Sequence, residues 1–218
     1  MYDAVLFDND GVLTWLTSLD VFSRAIETTF AEFGVTDPDP QHVEALYGIT
    51  PDELQRICER YGVDPAPFWR RRDRNAALAQ HAEIRAGRKP LYDDVEILDE
   101  LDQELGIVSN NQADTVSYIV DYYDLPGSDI CYGRQPTLDG IRRKKPDPYY
   151  LQQALSAIGT EDALYVGDSG SDVVAARQAG VDSAFVRRSH RQDLELPEQP
   201  TYEVEDLYGV RDIVDSTD

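Results

Sequence analysis

Two aspartates two positions apart, Asp8 and Asp10, directly follow a short apolar run at residues 4–7. An unbroken apolar run of this length predicts a strand buried on both faces, as in the middle of a parallel sheet. If the backbone stays extended, residues two apart point to the same side. Open α/β sheets bind their ligands at the carboxyl ends of strands. The sequence therefore predicts two carboxylates at the place where a ligand would arrive.

Two carboxylates this close need a partner. At a separation of about 4 Å they repel by about 4 kcal/mol when the effective dielectric constant is near 20. A divalent cation would offset the repulsion, and Mg²⁺ binds one or two carboxylates together with water and phosphate oxygens. The alternative is an Asx-turn that caps a helix after a core strand, with Gly11 allowing the chain to turn. The pair alone does not decide between them, because short motifs also occur by chance.

Three further segments carry reactive groups near predicted strand ends. Ser109 and Asn110 end the second predicted strand, and Lys145 stands just before a predicted helix. Asp168 and Asp172 follow a third predicted strand. Taken singly, each has a structural alternative: a helix cap for Ser109, a solvated lysine for Lys145, and a turn and an N-cap for the two acids.

In this order, the four segments resemble the signature motifs of the haloacid dehalogenase-like superfamily. The resemblance covers the chain apart from its C-terminal tail, and four ordered motifs are far more specific than one. The insert after the first motif resembles the helical cap of the phosphoglycolate phosphatase and β-phosphoglucomutase branch. The resemblance implies an α/β fold with a Rossmann-like core at residues 1–15 and 89–218 and a helical cap domain at residues 16–88.

Sequence patterns agree with this division. From residue 91 onward, strand and helix patterns alternate, which predicts a parallel sheet with helices on both faces. Residues 16–88 carry only helix and turn patterns. A helix is predicted at residues 91–104, followed by a short strand at residues 105–109.

The resemblance also implies a role for each motif residue. Asp8 is the implied nucleophile that takes the phosphoryl group as an aspartyl phosphate. Asp10 is the implied general acid for the leaving alcohol and then the base for the hydrolytic water. Ser109 and the Asn110 backbone would hold the phosphoryl oxygens. Lys145 would neutralise the phosphate and Asp8 between turnovers.

Mg²⁺ is the implied cofactor. Its ligands would be Asp8, the Asp10 carbonyl and Asp168, and Asp172 would act as a ligand or as a partner of the ligands. Asp10 also favours phosphoryl chemistry over dehalogenation, because a halide leaving group needs no acid. Positioning and charge neutralisation are what phosphoryl transfer needs from a protein, and a metal ion with a lysine supplies both.

The insert should set specificity. Its segment Gly48-Ile49-Thr50 resembles the loop that reaches over the active site, so Thr50 is a candidate substrate-binding residue. A basic run follows, formed by Arg70, Arg71, Arg72 and Arg74. One of these arginines could bind a substrate carboxylate or a second phosphate in a bidentate fork. The alternative is that they pair with acids on neighbouring helices, as most charge runs do.

The composition is strongly acidic, with 42 acidic against 20 basic side chains and a formal net charge of −22. The lysines are Lys89, Lys144 and Lys145. An acidic surface repels nucleic acid and anionic membranes. Such a composition resembles that of proteins from salt-saturated cytoplasm, where the screening length is about 3 Å at 1 M salt. We therefore expect the protein to lose stability in low salt.

Apolar runs and cysteines of the sequence bear on the location and partners of the protein. No apolar run reaches the length of a membrane span, and no charged-then-apolar leader opens the chain. Cys58 and Cys131 lack metal-ligand spacing and fit a reducing compartment. We expect a cytoplasmic monomer or homodimer that binds a small phosphorylated metabolite and neither nucleic acid nor membrane.

Three functions are compatible with these features. The first is a Mg²⁺-dependent phosphatase acting on a small organic phosphate, with phosphoglycolate as the default substrate. The second is a sugar phosphomutase of the same branch, in which the phosphoryl group returns to the sugar. The third is a non-catalytic binding module that keeps the fold.

Overall fold

The computed structural model describes residues 2–216, in which a sheet of six parallel strands forms the core. The strands are β1 (Ala4–Phe7), β2 (Glu104–Gln112), β3 (Cys131–Arg134), β4 (Ala163–Gly167), β5 (Asp182–Val186) and β6 (Tyr202–Val204). Their order in the sheet is β3-β2-β1-β4-β5-β6. The order reverses at the central strand β1, which is where ligands bind in such sheets. The predicted α/β class with a Rossmann-like parallel sheet is confirmed.

Helices surround the sheet and fill the insert. They are α1 (Leu19–Glu32), α2 (Pro40–Ala45), α3 (Pro51–Tyr61), α4 (Pro65–Arg85), α5 (Ala113–Tyr123), α6 (Leu138–Arg142), α7 (Tyr149–Ile158), α8 (Gly170–Ala179) and α9 (Leu207–Ser216). Two 3-10 segments lie at Asp93–Glu100 and Ser189–Arg191. Between residues 2 and 216, no helix has both the length and the hydropathy needed to cross a bilayer.

Strand β1 is buried along its whole length. Val5 and Phe7 belong to an apolar cluster on one face of the sheet, and Ala4 and Leu6 belong to a cluster on the other. Alternate side chains of a strand point to opposite faces, so a strand between two helical layers is apolar at every position. This burial explains the unbroken apolar run and fixes the point at which Asp8 emerges.

The insert, defined as helices α1–α4, has an apolar cluster of its own. Phe30 of α1 packs against Phe68 of α4 with ring centroids 4.9 Å apart. Thr50 caps α3 through a reciprocal capping box with Glu53, and Gly62 ends that helix in the left-handed conformation. The predicted domain boundaries near residues 15 and 89 lie outside α1 and α4.

The segment before β2 differs from its prediction. The predicted helix at residues 91–104 is wrong, because a 3-10 segment covers only Asp93–Glu100 and Glu104 already belongs to β2. The buried carboxylate of Asp94 accepts hydrogen bonds from Arg188 and from the backbone of Leu207, and so ties this segment to two distant parts of the core.

Two further features of the fold were not predicted, the C-terminal end of β2 and the helix α6. Strand β2 continues past the predicted end at residue 109 to Gln112. Its last polar residues are buried and hydrogen-bonded to the insert, which polarity along the sequence does not reveal. The short helix α6 was not predicted, although Thr137 caps it by accepting from Gly140 N.

Candidate active site

The carboxyl ends of β1, β2 and β4 bring the predicted motif residues to one edge of the sheet. Phe7 of β1 is in register with Ile107 of β2 and with Val166 of β4. Asp8 follows directly, and its backbone N–H donates to the carbonyl of Val166 at 2.8 Å. Asp8 is therefore flanked by the strand end that carries Ser109 and by the loop that carries Asp168.

Three buried carboxylates converge at this edge. Asp8, Asp168 and Asp172 each offer an oxygen, and these oxygens all lie within 4.8 Å of one another. Asp172 is oriented by Ser169, whose backbone N–H and hydroxyl donate to Asp172 Oδ2 at 2.9 and 2.6 Å. Hard carboxylate oxygens at this spacing suit Mg²⁺ or a similar divalent cation. The donor set therefore fits the metal that the sequence predicts.

Lys145 supplies the positive charge nearest to two of these carboxylates, Asp8 and Asp172. Its Nζ lies 3.0 Å from Asp8 Oδ1 and 2.6 Å from Asp172 Oδ1. It also donates to the hydroxyl of Tyr165 at 2.7 Å and to the carbonyl of Val108 at 3.2 Å. Burial alone would lower the pKa of Lys145, but attraction to Asp172 and Asp8 holds the pKa well above its ordinary value.

One lysine does not neutralise the cluster. Burial raises the pKa of Asp8 to about 7 despite Lys145, and repulsion from Asp172, Asp168 and Asp10 adds to the effect. The pKa of Asp168 is also raised, first by burial and then by Asp172. Added positive charge beside Asp8, such as a divalent cation, would favour its ionised form.

The two predicted phosphoryl-binding residues at the end of β2 are in place beside Lys145. The side chain of Asn110 accepts from Lys145 N at 2.7 Å and donates to Lys145 O at 3.0 Å. It therefore fixes the loop that carries the lysine. The buried hydroxyl of Ser109 accepts from Asn111 N at 3.3 Å, and an accepting hydroxyl can still donate its own hydrogen to a phosphoryl oxygen.

Asp10 is held by two residues that the sequence reading missed. The fully buried Lys89 contacts Asp10 Oδ1 and donates to the carbonyl of Trp15 at 2.7 Å. Asn111 donates to Asp10 Oδ2 at 2.6 Å. The scarcity of lysine in the chain was a signal for Lys89, since a rare residue in an acidic protein invites a specific partner. Nothing in the local pattern marked Asn111.

The insert reaches Asp10 through Gln80 of α4. Gln80 is fully buried and exchanges two hydrogen bonds with the side chain of Asn111, both 2.9 Å long. It also donates to Gln112 at 2.8 Å and accepts from the hydroxyl of Thr17 at 3.1 Å. A helix of the insert is thus two hydrogen bonds away from the predicted acid and base.

Asp168 has two basic neighbours from the segment after β5. His190 Nε2 lies 2.7 Å from Asp168 Oδ2, and Arg191 Nε donates to the same oxygen at 2.9 Å. Gly11 passes so close that an added Cβ would lie 2.2 Å from Asp168 Oδ2, and its φ of +83° also favours glycine.

A cavity of about 410 Å³ opens between the sheet edge and the insert. Asp10, Asn110 and Lys145 line its core side, and Gly48 and Ile49 line its insert side. Thr50 does not line this cavity, and its backbone N–H and hydroxyl are hydrogen-bonded to the carboxylate of Glu53. Its predicted contact with substrate stays a prediction.

The four arginines of the basic run do not share one environment. Arg71 forms a bidentate pair with Glu32 of α1, as the structural alternative expects. Arg70, Arg71 and Arg74 face a separate cavity of about 490 Å³ that none of the predicted catalytic residues lines. Of the four arginines, only Arg72 lines the cavity that contains Asp10 and Lys145.

Comparison with known proteins agrees with this site. The model of the haloacid dehalogenase-like hydrolase family matches residues 5–186, and the chain belongs to this family. Pyrophosphatase PpaX from Bacillus velezensis is 32% identical over 109 residues, and the chain spans about half of that relative's length (49% of each chain). PpaX from Listeria monocytogenes is 27% identical over 96% of this chain and 95% of its own.

Solved structures show the same fold over nearly the whole chain. CbbY from Rhodobacter sphaeroides in complex with phosphate has a TM-score of 0.67 and 21% identity, covering 94% of this chain and 95% of its own. A putative phosphoglycolate phosphatase from Lactobacillus plantarum has a TM-score of 0.64 and 19% identity, covering 97% and 99%. The predicted superfamily and hydrolase class are confirmed.

Proposed function

We propose that the protein is a Mg²⁺-dependent phosphatase that hydrolyses a small phosphate monoester through an aspartyl phosphate on Asp8. The observation that carries this proposal is the position of Lys145, which bridges Asp8 and Asp172 within a cluster of three buried carboxylates. The relatives named as pyrophosphatases and the structural neighbour titled as a putative phosphoglycolate phosphatase support phosphate chemistry.

The residues divide the reaction between them. Asp8 Oδ attacks phosphorus, the bond from phosphorus to the leaving oxygen breaks, and Asp10 gives that oxygen its proton. Asp10 then takes a proton from water, which attacks the aspartyl phosphate and releases inorganic phosphate. Asn111 and Lys89 orient Asp10 for both transfers. Lys145 and Ser109 hold the phosphoryl oxygens as charge shifts onto them.

The metal would be held by Asp8, Asp168 and Asp172 together with the Asp10 carbonyl. When bound, it supplies positive charge to the transferring phosphoryl group and to the carboxylates around it. Asp8 would then be ionised at neutral pH. Without the metal, its pKa of about 7 would leave only about half of the molecules with an ionised Asp8.

The substrate we propose is a small phosphorylated metabolite, with phosphoglycolate as the reference compound. A cavity of about 410 Å³ suits a ligand of that class. The acidic composition supports a substrate met in the cytoplasm and not on nucleic acid or on an anionic membrane. We further propose that the protein acts as a monomer or homodimer.

Phosphate release with Mg²⁺ in molar KCl tests the proposal, using p-nitrophenyl phosphate, phosphoglycolate and glucose 1-phosphate. We expect release to depend on Mg²⁺ and Asp8→Asn to reduce the rate by at least 10³-fold. Asp102→Asn, on the exposed side of the core, is the matched control and should keep the rate. Unchanged hydrolysis by Asp8→Asn would overturn the proposal, and isomerisation of glucose 1-phosphate without release would identify a mutase.

A further inference from the structure

We propose that the cavity contains a second phosphate subsite formed by Arg72, Arg134 and Lys144, so that the substrate is a small bisphosphorylated molecule. The inference deepens the proposed function and rests on it, because it takes the first phosphate to sit at Asp8. It concerns residues that none of the four motifs includes.

The three cations come from different parts of the fold and line one cavity. Arg72 lies on α4 of the insert, Arg134 ends β3, and Lys144 precedes Lys145 in the loop before α7. Arg134 Nε donates to the carbonyl of Asn110 at 3.3 Å, which places this guanidinium beside the predicted phosphoryl-binding loop. The subsite is therefore next to the reacting centre and on its insert side.

The arginines are buried and rigidly held. Arg72 is 3% exposed and Arg134 is 5% exposed. Both guanidinium carbons lie 4.9 Å from the ring centroid of Trp69, so the two cations share one aromatic residue. Arg134 forms a bidentate pair with Asp73 at 2.7 and 2.8 Å, and Arg72 donates to the same carboxylate at 3.0 Å. Binding would need little reorganisation of these groups.

The charge around them does not balance. Asp73 is the carboxylate that pairs with both arginines, and Lys144 contacts the carbonyls of Gly48 and Ile49 at 3.1 Å each. The two buried arginines against Asp73 leave one net positive charge, and Lys144 adds a second that the exposed carboxylate of Glu53 offsets only in part. A phosphate dianion would cancel all of this excess, whereas a carboxylate would leave part of it.

Two buried donors in the same wall also lack acceptors. Among residues 2–216, neither Arg72 Nε nor Trp69 Nε1 has a hydrogen-bond partner. An unsatisfied buried donor costs about 1–3 kcal/mol, so each is a position at which an added acceptor would stabilise this wall. The lowered pKa of Lys144, caused first by burial and then by repulsion from Arg134 and Arg72, agrees with cations that lack an anion.

A purely structural ion network is the alternative explanation. Such a network ties the insert to the core, and Arg72 also donates to the carbonyl of Leu46 at 2.6 Å. A network with only this role is expected to balance its charges, because a buried unpaired charge is costly. Lys144 also ties the core to the insert, through the carbonyls of Gly48 and Ile49, but it belongs to neither ion pair and adds a positive charge that such a network does not require.

Binding of four-carbon phosphonates to the unaltered protein tests the subsite without requiring turnover. The probes are butylphosphonate, butane-1,4-diyl bisphosphonate and 4-phosphonobutanoate, measured by titration calorimetry with Mg²⁺ at one fixed ionic strength. We expect the bisphosphonate to bind at least 30-fold more tightly than butylphosphonate. The carboxylate analogue should fall between the two.

Variants then identify the residues. Lys144→Met, at a half-buried position, should reduce the preference for the bisphosphonate at least 10-fold. Arg143→Met is the matched control, because Arg143 is exposed and stacks on Tyr149, 4.2 Å from its ring centroid. Lys144→Arg should restore most of the preference. Arg72 is left unaltered here, since its removal would open a gap in a buried ion network and would also break its hydrogen bond to the Leu46 carbonyl.

Three outcomes separate this inference from the function on which it rests. Equal affinity for the mono- and bisphosphonate, or a preference unaffected by Lys144→Met, would overturn the subsite. Tighter binding of the carboxylate analogue than of the bisphosphonate would overturn the assignment to phosphate. Selective bisphosphonate binding without hydrolysis of butane-1,4-diol bisphosphate would support the subsite and overturn the proposed phosphatase activity.

Discussion

The two ends of the active-site cleft carry an excess of opposite charge. At the sheet end, Lys145 bridges the buried carboxylates of Asp8 and Asp172, and the third carboxylate, that of Asp168, pairs with Arg191. At the insert end, Arg72 and Arg134 share the carboxylate of Asp73, and Lys144 lines the same cavity outside these ion pairs. Each end retains an excess of one sign that folding alone does not require. The difference agrees with the two proposals, a cation at the sheet end and a phosphate at the insert end.

The two ends also differ in origin. The carboxylates stand on strand ends and on the first turn of α8, where the sheet fixes their positions. The cations stand on α4, at the end of β3 and in a loop that touches the insert. In the proposed function, the core therefore supplies the chemistry, and specificity comes from elements that other chains of this fold can vary.

Removing the lone opposite charge at the insert end should have the largest effect on stability. Asp73→Asn leaves Arg72 and Arg134 buried without a carboxylate, and breaking a buried pair in this way costs about 3–5 kcal/mol. Chemical denaturation in molar KCl measures the loss. Asp139→Asn is the matched control, because the Asp139–Arg142 pair is exposed and its loss should cost under about 1 kcal/mol. Equal effects of the two substitutions would mean that the insert-end charges are not effectively buried.

Removing the negative charge of Asp8 at the sheet end should instead raise the stability of the protein. Folding raises the pKa of Asp8 to about 7 from an ordinary value of 3.8, so the folded state binds the proton more tightly than the unfolded state. The contribution of Asp8 to the free energy of unfolding is therefore fully present below pH 4 and is lost as the pH rises towards 7. Without Mg²⁺ at pH 8, Asp8→Asn should raise stability by an amount on the order of 2 kcal/mol, or about 4–8 °C in Tm.

Mg²⁺ and pH provide the controls for that substitution. In the unaltered protein, Mg²⁺ should raise Tm more at pH 8 than at pH 5, because protons compete with the metal for the carboxylates. Asp8→Asn should abolish most of this difference. An Asp8→Asn protein that is less stable than the unaltered protein at pH 8 without Mg²⁺ would contradict the account of the sheet end.

Breaking the hydrogen bonds of Gln80, which connect the insert to Asp10, should have a smaller effect. That effect should be on the reaction rate. Gln80→Leu removes the hydrogen bonds that orient Asn111 against Asp10, and we expect kcat to fall about 10-fold, equivalent to about 1.4 kcal/mol. KM should change less, because Gln80 does not line the cavity. Gln153→Leu, exposed on α7, is the matched control. Equal loss for p-nitrophenyl phosphate, whose leaving group needs little acid assistance, would indicate general disruption instead of a poorly placed Asp10.

The sequence was sufficient for the sheet end and insufficient for the insert end. Asp8 and Asp168 follow buried apolar strands, so period and burial predict their shared edge without tertiary information. Lys89, Gln80 and Arg134 offered no such signal. Their roles arise from contacts across 24 to 79 positions, such as Lys89 with Asp10 and Arg134 with Asn110.

The basic run shows the same limit within a few residues. Arg71 and Arg72 are neighbours with the same charge, yet one pairs with Glu32 on an exposed helix face and the other is buried in the cavity wall. Neighbouring positions on a helix point about 100° apart, and only the packing of α4 decides which face meets the core. The sequence indicated that the arginines either bind substrate or pair with neighbouring acids. It could not show which arginine does which.

Chemical trapping of the phosphorylated protein tests the central claim most directly. The protein is mixed with a phosphate monoester and Mg²⁺, quenched in acid within milliseconds and reduced with borohydride, which converts an aspartyl phosphate to homoserine. Peptide mass spectrometry should then find homoserine at Asp8, at a level that rises when Asp10→Asn slows hydrolysis of the aspartyl phosphate. Phosphate release with no modification of Asp8, or with homoserine at another aspartate, would contradict the account.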